Sequence, residues 1–217
     1  MAKEKSLDQL CREGDTVNAA SKKPEIIVFA GPNGSGKSTI TKQLLPKDVP
    51  YINADMIQSA LCCSNIEAAK KAESLREEYL ANRKDFCFET VLSTDRNLKL
   101  LKKAKSAGYF IRCYYVLTAD SEINVARVAS RVSDGGHDVP VDKIISRYDK
   151  SLALVKDVVP VCDVCHIYDN SLKSPFRIFR KRKDTYSYCT LRGLWHKEDI
   201  IALTGIKDVR QAALNNK

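Results

Sequence analysis

The chain has 217 residues, 44% hydrophobic and 29% charged, with 36 Lys and Arg against 27 Asp and Glu for a net charge of +9. This balance excludes a disordered or fibrous chain and leaves enough length to bury a core without staples. No apolar run approaches a bilayer span, and the start, Met1-Ala2-Lys3-Glu4-Lys5-Ser6-Leu7-Asp8, lacks the apolar centre of a signal peptide, so a cytoplasmic location is expected.

Residues 1–23 read as a polar extension ending in Ser21-Lys22-Lys23-Pro24. Glu25 to Ala30 is a short apolar run that predicts a buried strand, and Thr39 to Leu45 predicts a helix stopped before Pro46. Between them, Gly31-Pro32-Asn33-Gly34-Ser35-Gly36-Lys37-Ser38 fits G-x-x-x-x-G-K-[ST], the phosphate-binding loop, or P-loop. Strand, glycine-rich turn and helix N-terminus gather backbone N–H groups and partial positive charge around an anion. In that arrangement Lys37 reaches the β- and γ-phosphates, and the Ser38 hydroxyl binds Mg²⁺. A nucleoside triphosphate, ATP or GTP, is the expected ligand, with Gly31 through Thr39 around its phosphates.

Val49 to Asn53 predicts a brief second strand, followed by Ala54-Asp55. Asp55 faces two readings: a base that takes the proton of an attacking hydroxyl, or a cap on the helix that follows. Ile66 to Lys84 has helical spacing, and Asp85 to Thr90 predicts a third strand ending in an acid. Glu89 there has the position of a metal-holding or substrate-orienting carboxylate, or of a plain strand-end glutamate. Thr90 follows as a possible hydroxyl contact. A lysine-rich helix closes at Gly108, and Tyr109 to Leu117 predicts a fourth strand.

Ala119 to Val132 and Val141 to Val155 predict two helices joined by Ser133-Asp134-Gly135-Gly136-His137-Asp138-Val139-Pro140. Arg127 and Arg131, four residues apart, share one helix face, and Arg147 lies on the second helix. The set predicts a lid, about residues 119–156, that brings guanidinium charge to a transferring phosphoryl group. A fifth strand is expected at about Cys162 to Tyr168, a hairpin at Pro175 to Cys189, and helix from His196 onward. The basic and aromatic run Phe176 to Lys183 reads first as a protected edge strand and only second as a nucleic-acid surface. Strands alternating with helices predict an α/β fold, a parallel sheet covered on both faces.

With no export signal, the eight cysteines read as reduced core residues, Cys62-Cys63 as a pair on a helical stretch. Cys162-Asp163-Val164-Cys165-His166 matches the C-x-x-C-H of haem attachment, but that chemistry needs export, and a zinc site is scarcely better supported by the spacing.

Taken in order, the P-loop, Tyr51-Ile52-Asn53-Ala54-Asp55, Phe88-Glu89-Thr90, Arg127-Val128, Arg131-Val132, Gly135 to Pro140, Arg147-Tyr148 and Tyr168-Asp169-Asn170-Ser171 resemble the zeta toxin group of P-loop kinases, over about Glu25 to Ser171. The resemblance implies a three-layer α/β/α fold with an adenylate-kinase-like sheet in the order 2-3-1-4-5. It implies one kinase domain over residues 24–217, with the helical lid and a C-terminal hairpin and helices at 172–217. It further implies phosphoryl transfer from ATP or GTP to a small-molecule hydroxyl such as that of UDP-N-acetylglucosamine, in a toxin–antitoxin setting. By the same resemblance Asp55 is the base, Lys37 and Ser38 serve phosphate and Mg²⁺, and Arg131 or Arg147 clamps phosphate. Arg127 then belongs to the nucleotide site, Glu89 to the acceptor or metal site, and Thr90 and His137 to the acceptor. The chain departs from larger members by His137 where they carry an arginine, and by Met56-Ile57-Gln58-Ser59 after the acid. An antibiotic, nucleoside or polynucleotide acceptor, or a nucleotide-binding module without catalysis, stands as the alternative.

Overall fold

A computed structural model describes residues 22–189 and 194–211. The polar extension therefore falls almost wholly outside the described residues. Eight strands form one sheet in the order β2-β3-β1-β4-β5-β6-β7-β8. They are β1 (Glu25–Ala30), β2 (Tyr51–Ile52), β3 (Phe86–Thr90), β4 (Phe110–Leu117), β5 (Val164–Asp169), β6 (Phe176–Arg182), β7 (Thr185–Tyr188) and β8 (Arg210–Gln211). The first five are parallel in the expected order, β1 at their centre between β3 and β4. The sheet then continues antiparallel through β6 and β7, and β8 pairs parallel to β7. The hairpin is thus internal to the sheet, which corrects the edge-strand reading.

The helices are α1 (Lys37–Leu44), α2 (Ala54–Leu61), α3 (Asn65–Ala81), α4 (Asp95–Ser106), α5 (Ser121–Ser133), α6 (Val141–Ala153), α7 (Val155–Val161) and α8 (Lys197–Thr204). The parallel strands are apolar along their length because both faces are covered. Ile26, Val28, Phe86, Phe88, Ile111 and Tyr115 pack in the larger core, while Ile27, Phe29, Tyr114 and Tyr168 pack with Ile40 of α1 on the other face.

Local chemistry explains the helix ends. Asn53 caps α2 by accepting from the Asp55 and Met56 N–H groups, so the capping reading of Asp55 gives way to Asn53. Cys62 is the left-handed C-cap of α2 at φ 48°, so the Cys62-Cys63 pair ends a helix rather than lying within one. A capping box between Ser64 and Glu67 starts α3. The apolar Val158-Val159-Pro160-Val161 run ahead of the expected fifth strand is helical in α7, with Val155, Val158 and Val159 buried at i, i+3 and i+4 spacing. Two carbonyls at its end, Val159 O and Pro160 O, accept from the buried Lys181 ammonium at 2.9 and 3.0 Å.

Candidate active site

The P-loop is fixed from three sides. Gly31, at φ 139°, lies where a Cβ would come within 1.9 Å of the Val116 carbonyl oxygen on β4. At Gly36, φ 90°, a Cβ would meet the Asn170 amide at 2.2 Å. Side-chain amides then grip the loop's carbonyls. Asn124, buried in the first turns of α5, donates to Asn33 O at 2.6 Å, and Asn170, just after β5, donates to Ser35 O at 2.8 Å. Asn124 is itself oriented by the Thr118 hydroxyl, which donates to its Oδ1. The Asp169-Asn170-Ser171 turn is tied down by Ala119 N–H, which donates to Ser171 Oγ at 2.7 Å.

In front of the loop lies a cleft of about 410 Å³. It is lined by the P-loop residues Asn33 to Thr39 other than Ser35, by Asn53 and Asp55, by Glu89 and Thr90 at the end of β3, and by Arg127 and Arg131 of α5. The structure thus brings Asp55 and the P-loop to one cavity although 18 positions separate Lys37 from Asp55 in the chain. Pro32 is buried, Ser35 fully so, and both support the loop rather than line the cleft.

Lys37 donates to its own loop at Pro32 O, 2.8 Å away. Burial lowers its ammonium to about 8; Glu89 opposes that shift, Arg131 adds to it, and Asp55 opposes it. Ser38 Oγ donates to Glu89 Oε2 at 3.2 Å, while Glu89 Oε1 is buried without a hydrogen-bond partner among the described residues. A hydroxyl and a carboxylate with one unsatisfied buried oxygen are the hard donors that Mg²⁺ takes, so the residues present fit that ion. Tyr51 stands against Glu89, and Asn53 Nδ2 donates to its hydroxyl at 2.8 Å. Burial, with the neighbouring Glu89 charge, pushes the Tyr51 phenol up, keeping it protonated beside the carboxylate.

The remaining expected residues divide. Arg127 donates to Ser171 O at 3.4 Å and keeps Nη1 buried without a partner among the described residues. Arg131 lines the cleft but donates to His137 O at 2.6 Å. Thr90 reaches the cleft wall, yet its oxygen accepts from Leu92 N–H and Asn97 Nδ2 at 2.9 and 2.8 Å, which holds the loop after β3. Thr90 thus has a positioning task besides lining the cleft. The His137 side chain and Arg147 are not among the residues that line the cleft. His137 contributes its carbonyl to Arg131, and Arg147 sits further along α6. Sequence reasoning passed over Asn124, whose signal was an amide at i−4 from buried Val128 on an otherwise apolar stripe. It quoted Asn170, Tyr51 and Asn53 without their structural tasks.

Comparison with known proteins decides the family. Residues 9–184 match the Zeta toxin family. The chain belongs to the zeta toxin family. A protein of Haemophilus influenzae with no assigned function is 32% identical over 127 residues, 56% of this chain and 91% of that one. Among solved structures, AvrRxo1-ORF1:-ORF2 with ATP superposes with a TM-score of 0.66 at 14% identity. That match covers 85% of this chain, which spans 64% of the AvrRxo1 chain. The PezAT toxin–antitoxin system of Streptococcus pneumoniae gives 0.51 at 20% identity, covering 72% of this chain and 71% of that one. At such identities these structures speak for the fold, a P-loop kinase α/β fold. Among the described residues no helix is long and apolar enough to cross a membrane.

Proposed function

We propose that this zeta toxin family member transfers the γ-phosphoryl group of ATP or GTP to the hydroxyl of a small molecule. The observation that supports the reading is that Asp55 lines the same cleft as Lys37 and Ser38. A phosphate cradle facing a carboxylate is what hydroxyl-to-phosphorus attack requires: Asp55 accepts the hydroxyl proton as the oxygen approaches the γ-phosphorus in line. Lys37 leaves Pro32 O for the phosphate oxygens, where anionic charge restores its proton affinity. Arg127 and Arg131 add cationic charge on the α5 side, where negative charge spreads over the equatorial oxygens.

Ser38 and Glu89 would hold Mg²⁺, which neutralises charge on the β- and γ-phosphates when bound. Tyr51, kept protonated and held by Asn53, orients Glu89. The acceptor lies on the Asn53–Asp55 side, and a nucleotide sugar, with UDP-N-acetylglucosamine first, is the class proposed from family membership. An antitoxin that closes the nucleotide cleft is the proposed protein partner, by analogy with the PezAT complex.

The test is incubation with labelled ATP and a panel of hydroxyl acceptors, with the phosphorylated product read by mass. Asp55→Asn should lower the phosphorylation rate by about 10²- to 10⁴-fold while leaving nucleotide affinity within about twofold. Full activity in that variant removes the base assignment. Tight ATP binding without turnover on any acceptor removes the kinase reading.

A further inference from the structure

The C-x-x-C-H segment is not used by the phosphoryl-transfer site, and the structure takes it apart. His166 turns to the α1 side of the sheet, stacked between Tyr114 and Tyr168 at centroid distances of 5.4 and 6.3 Å. The two cysteines go to the other face. Cys162 caps the end of α7, and Cys165 lies on β5 directly beside Cys113 of β4 in the parallel register. Cys113 thereby replaces the histidine as third member of the group. The three sulfurs lie within 4.8 Å of one another, and none of the three residues is more than 1% exposed.

A metal–thiolate bond of about 2.3 Å places three trigonal sulfurs about 4 Å apart, so a small contraction of this triangle would seat an ion. The second observation is Lys181. It pairs in register with Cys165 from β6, is 6% exposed, and brings an ammonium to the same face. Two of its three N–H donors go to Val159 O and Pro160 O, which accept without cancelling its charge. Asp163 also lies within its electrostatic reach but is engaged by Lys105 at 2.6 Å, so anionic sulfur on the same face would add to the charge balance of this buried cation.

We propose that Cys113, Cys162 and Cys165 form a binding site for a thiophilic d¹⁰ cation, Zn²⁺ or Cu⁺, with Lys181 as its counter-charge. Three thiols taking Zn²⁺ release three protons and leave a complex of charge −1, which Lys181 balances. Cu⁺ reaches the same balance with two thiolates and one thiol. Soft thiolate donors select these ions over Mg²⁺, so the site does not compete with the Ser38–Glu89 pair for metal. The ion would join β4, the start of β5 and the end of α7, with Asn170 at the far end of β5.

The experiment uses the full chain, stripped with chelator and titrated separately with Zn²⁺ and with Cu⁺ under reducing, oxygen-free conditions. Bound metal is read by elemental analysis, and Co²⁺ serves as a spectroscopic stand-in for zinc. One equivalent of either ion should bind to the folded protein and raise Tm by at least about 5 °C, and which ion does so identifies the occupant. Cys113→Ala and Cys165→Ala should each weaken binding by about 100-fold or more, and Lys181→Met by about tenfold, with nucleotide binding retained as the measure of folding. Failure of both ions to bind the folded protein stoichiometrically overturns the proposal, as does binding unchanged in folded cysteine variants.

Discussion

The two walls of the cleft are built differently. On the donor side, Gly31, Gly34 and Gly36 fit against Val116, Asn124 and Asn170 with no space for a Cβ, and two asparagine amides hold the loop's carbonyls. On the acceptor and lid side, Asp55 and Arg131 are exposed, and Arg131 donates to the backbone of its own loop. On α6 the lid is anchored at its root, where Tyr148 donates to Thr118 O at 2.7 Å and Ser151 to Val91 O at 2.6 Å. On the reading proposed above, the phosphate half is organised before ligand arrives and the Asp55 half takes its final form with the acceptor. An enzyme that holds ATP must avoid spending it on water, and a base left incompletely enclosed until the acceptor binds serves that end.

The largest break in this contrast should come from the glycines. Gly31→Ala sets a methyl group against the Val116 carbonyl, and loss of stable folding is expected, read as a lower yield of soluble protein and a lower Tm. Gly135→Ala, in the lid loop where a Cβ meets nothing within 4 Å, should cost only about 1 kcal/mol for its left-handed backbone. Equal losses at the two sites would erase the distinction between the walls.

Lys37 offers the next test. Its folded value of about 8 lies below the ordinary lysine value of 10.5, so between those two pH values the unfolded chain binds more protons. The cost of charging Lys37 is fully present below about pH 8 and is relieved as pH rises towards 10.5, so this group makes stability increase with pH there. Lys37→Met should accordingly raise the Tm of ligand-free protein at neutral pH while abolishing nucleotide binding. In the unaltered protein, ATP affinity should fall as pH rises through about 8, measured by calorimetry at constant ionic strength.

Asn170→Ala frees Ser35 O and should weaken ATP binding by about tenfold, with a stability loss of about 1–2 kcal/mol. The smallest effects on stability and nucleotide affinity belong to the lid. Arg131→Ala should lower kcat by about 10- to 100-fold with little change in nucleotide affinity. Arg147→Ala, outside the cleft here, should change kcat by less than about threefold. A larger loss at Arg147 would place it at the phosphates in the closed enzyme and widen the difference between the walls.

How much of this was legible in the sequence follows the range of the forces involved. The strand–P-loop–α1 unit and the lid helices rest on local periodicity and on a motif whose chemistry is contiguous, so they could be read directly. The order of the five parallel strands came through the family resemblance, and the structure keeps it. The α7 helix was hidden because valines favour strands in isolation, whereas here Val155, Val158 and Val159 pack as a helical stripe and Lys181 meets the final carbonyls. Asp55 and Glu89 were visible as acids after or within short strands. The task of Thr90 was not, since it depends on Asn97 across a turn whose geometry no local pattern specifies. Likewise Asn124 touches Asn33 from 91 positions away, and only the register of β1 with β4 brings them together.

That last contact makes α5 a lever. Asn124 is its fulcrum, pinned to the P-loop, and Arg127 and Arg131 ride at increasing distance along the arm. Seven residues at 1.5 Å rise place Arg131 about 10 Å from the pivot, so a swing of about 20° would carry it about 4 Å and Arg127 less than half as far. On the proposed reading, such motion would carry the outer arginine toward the transferring phosphate while the P-loop keeps its hold.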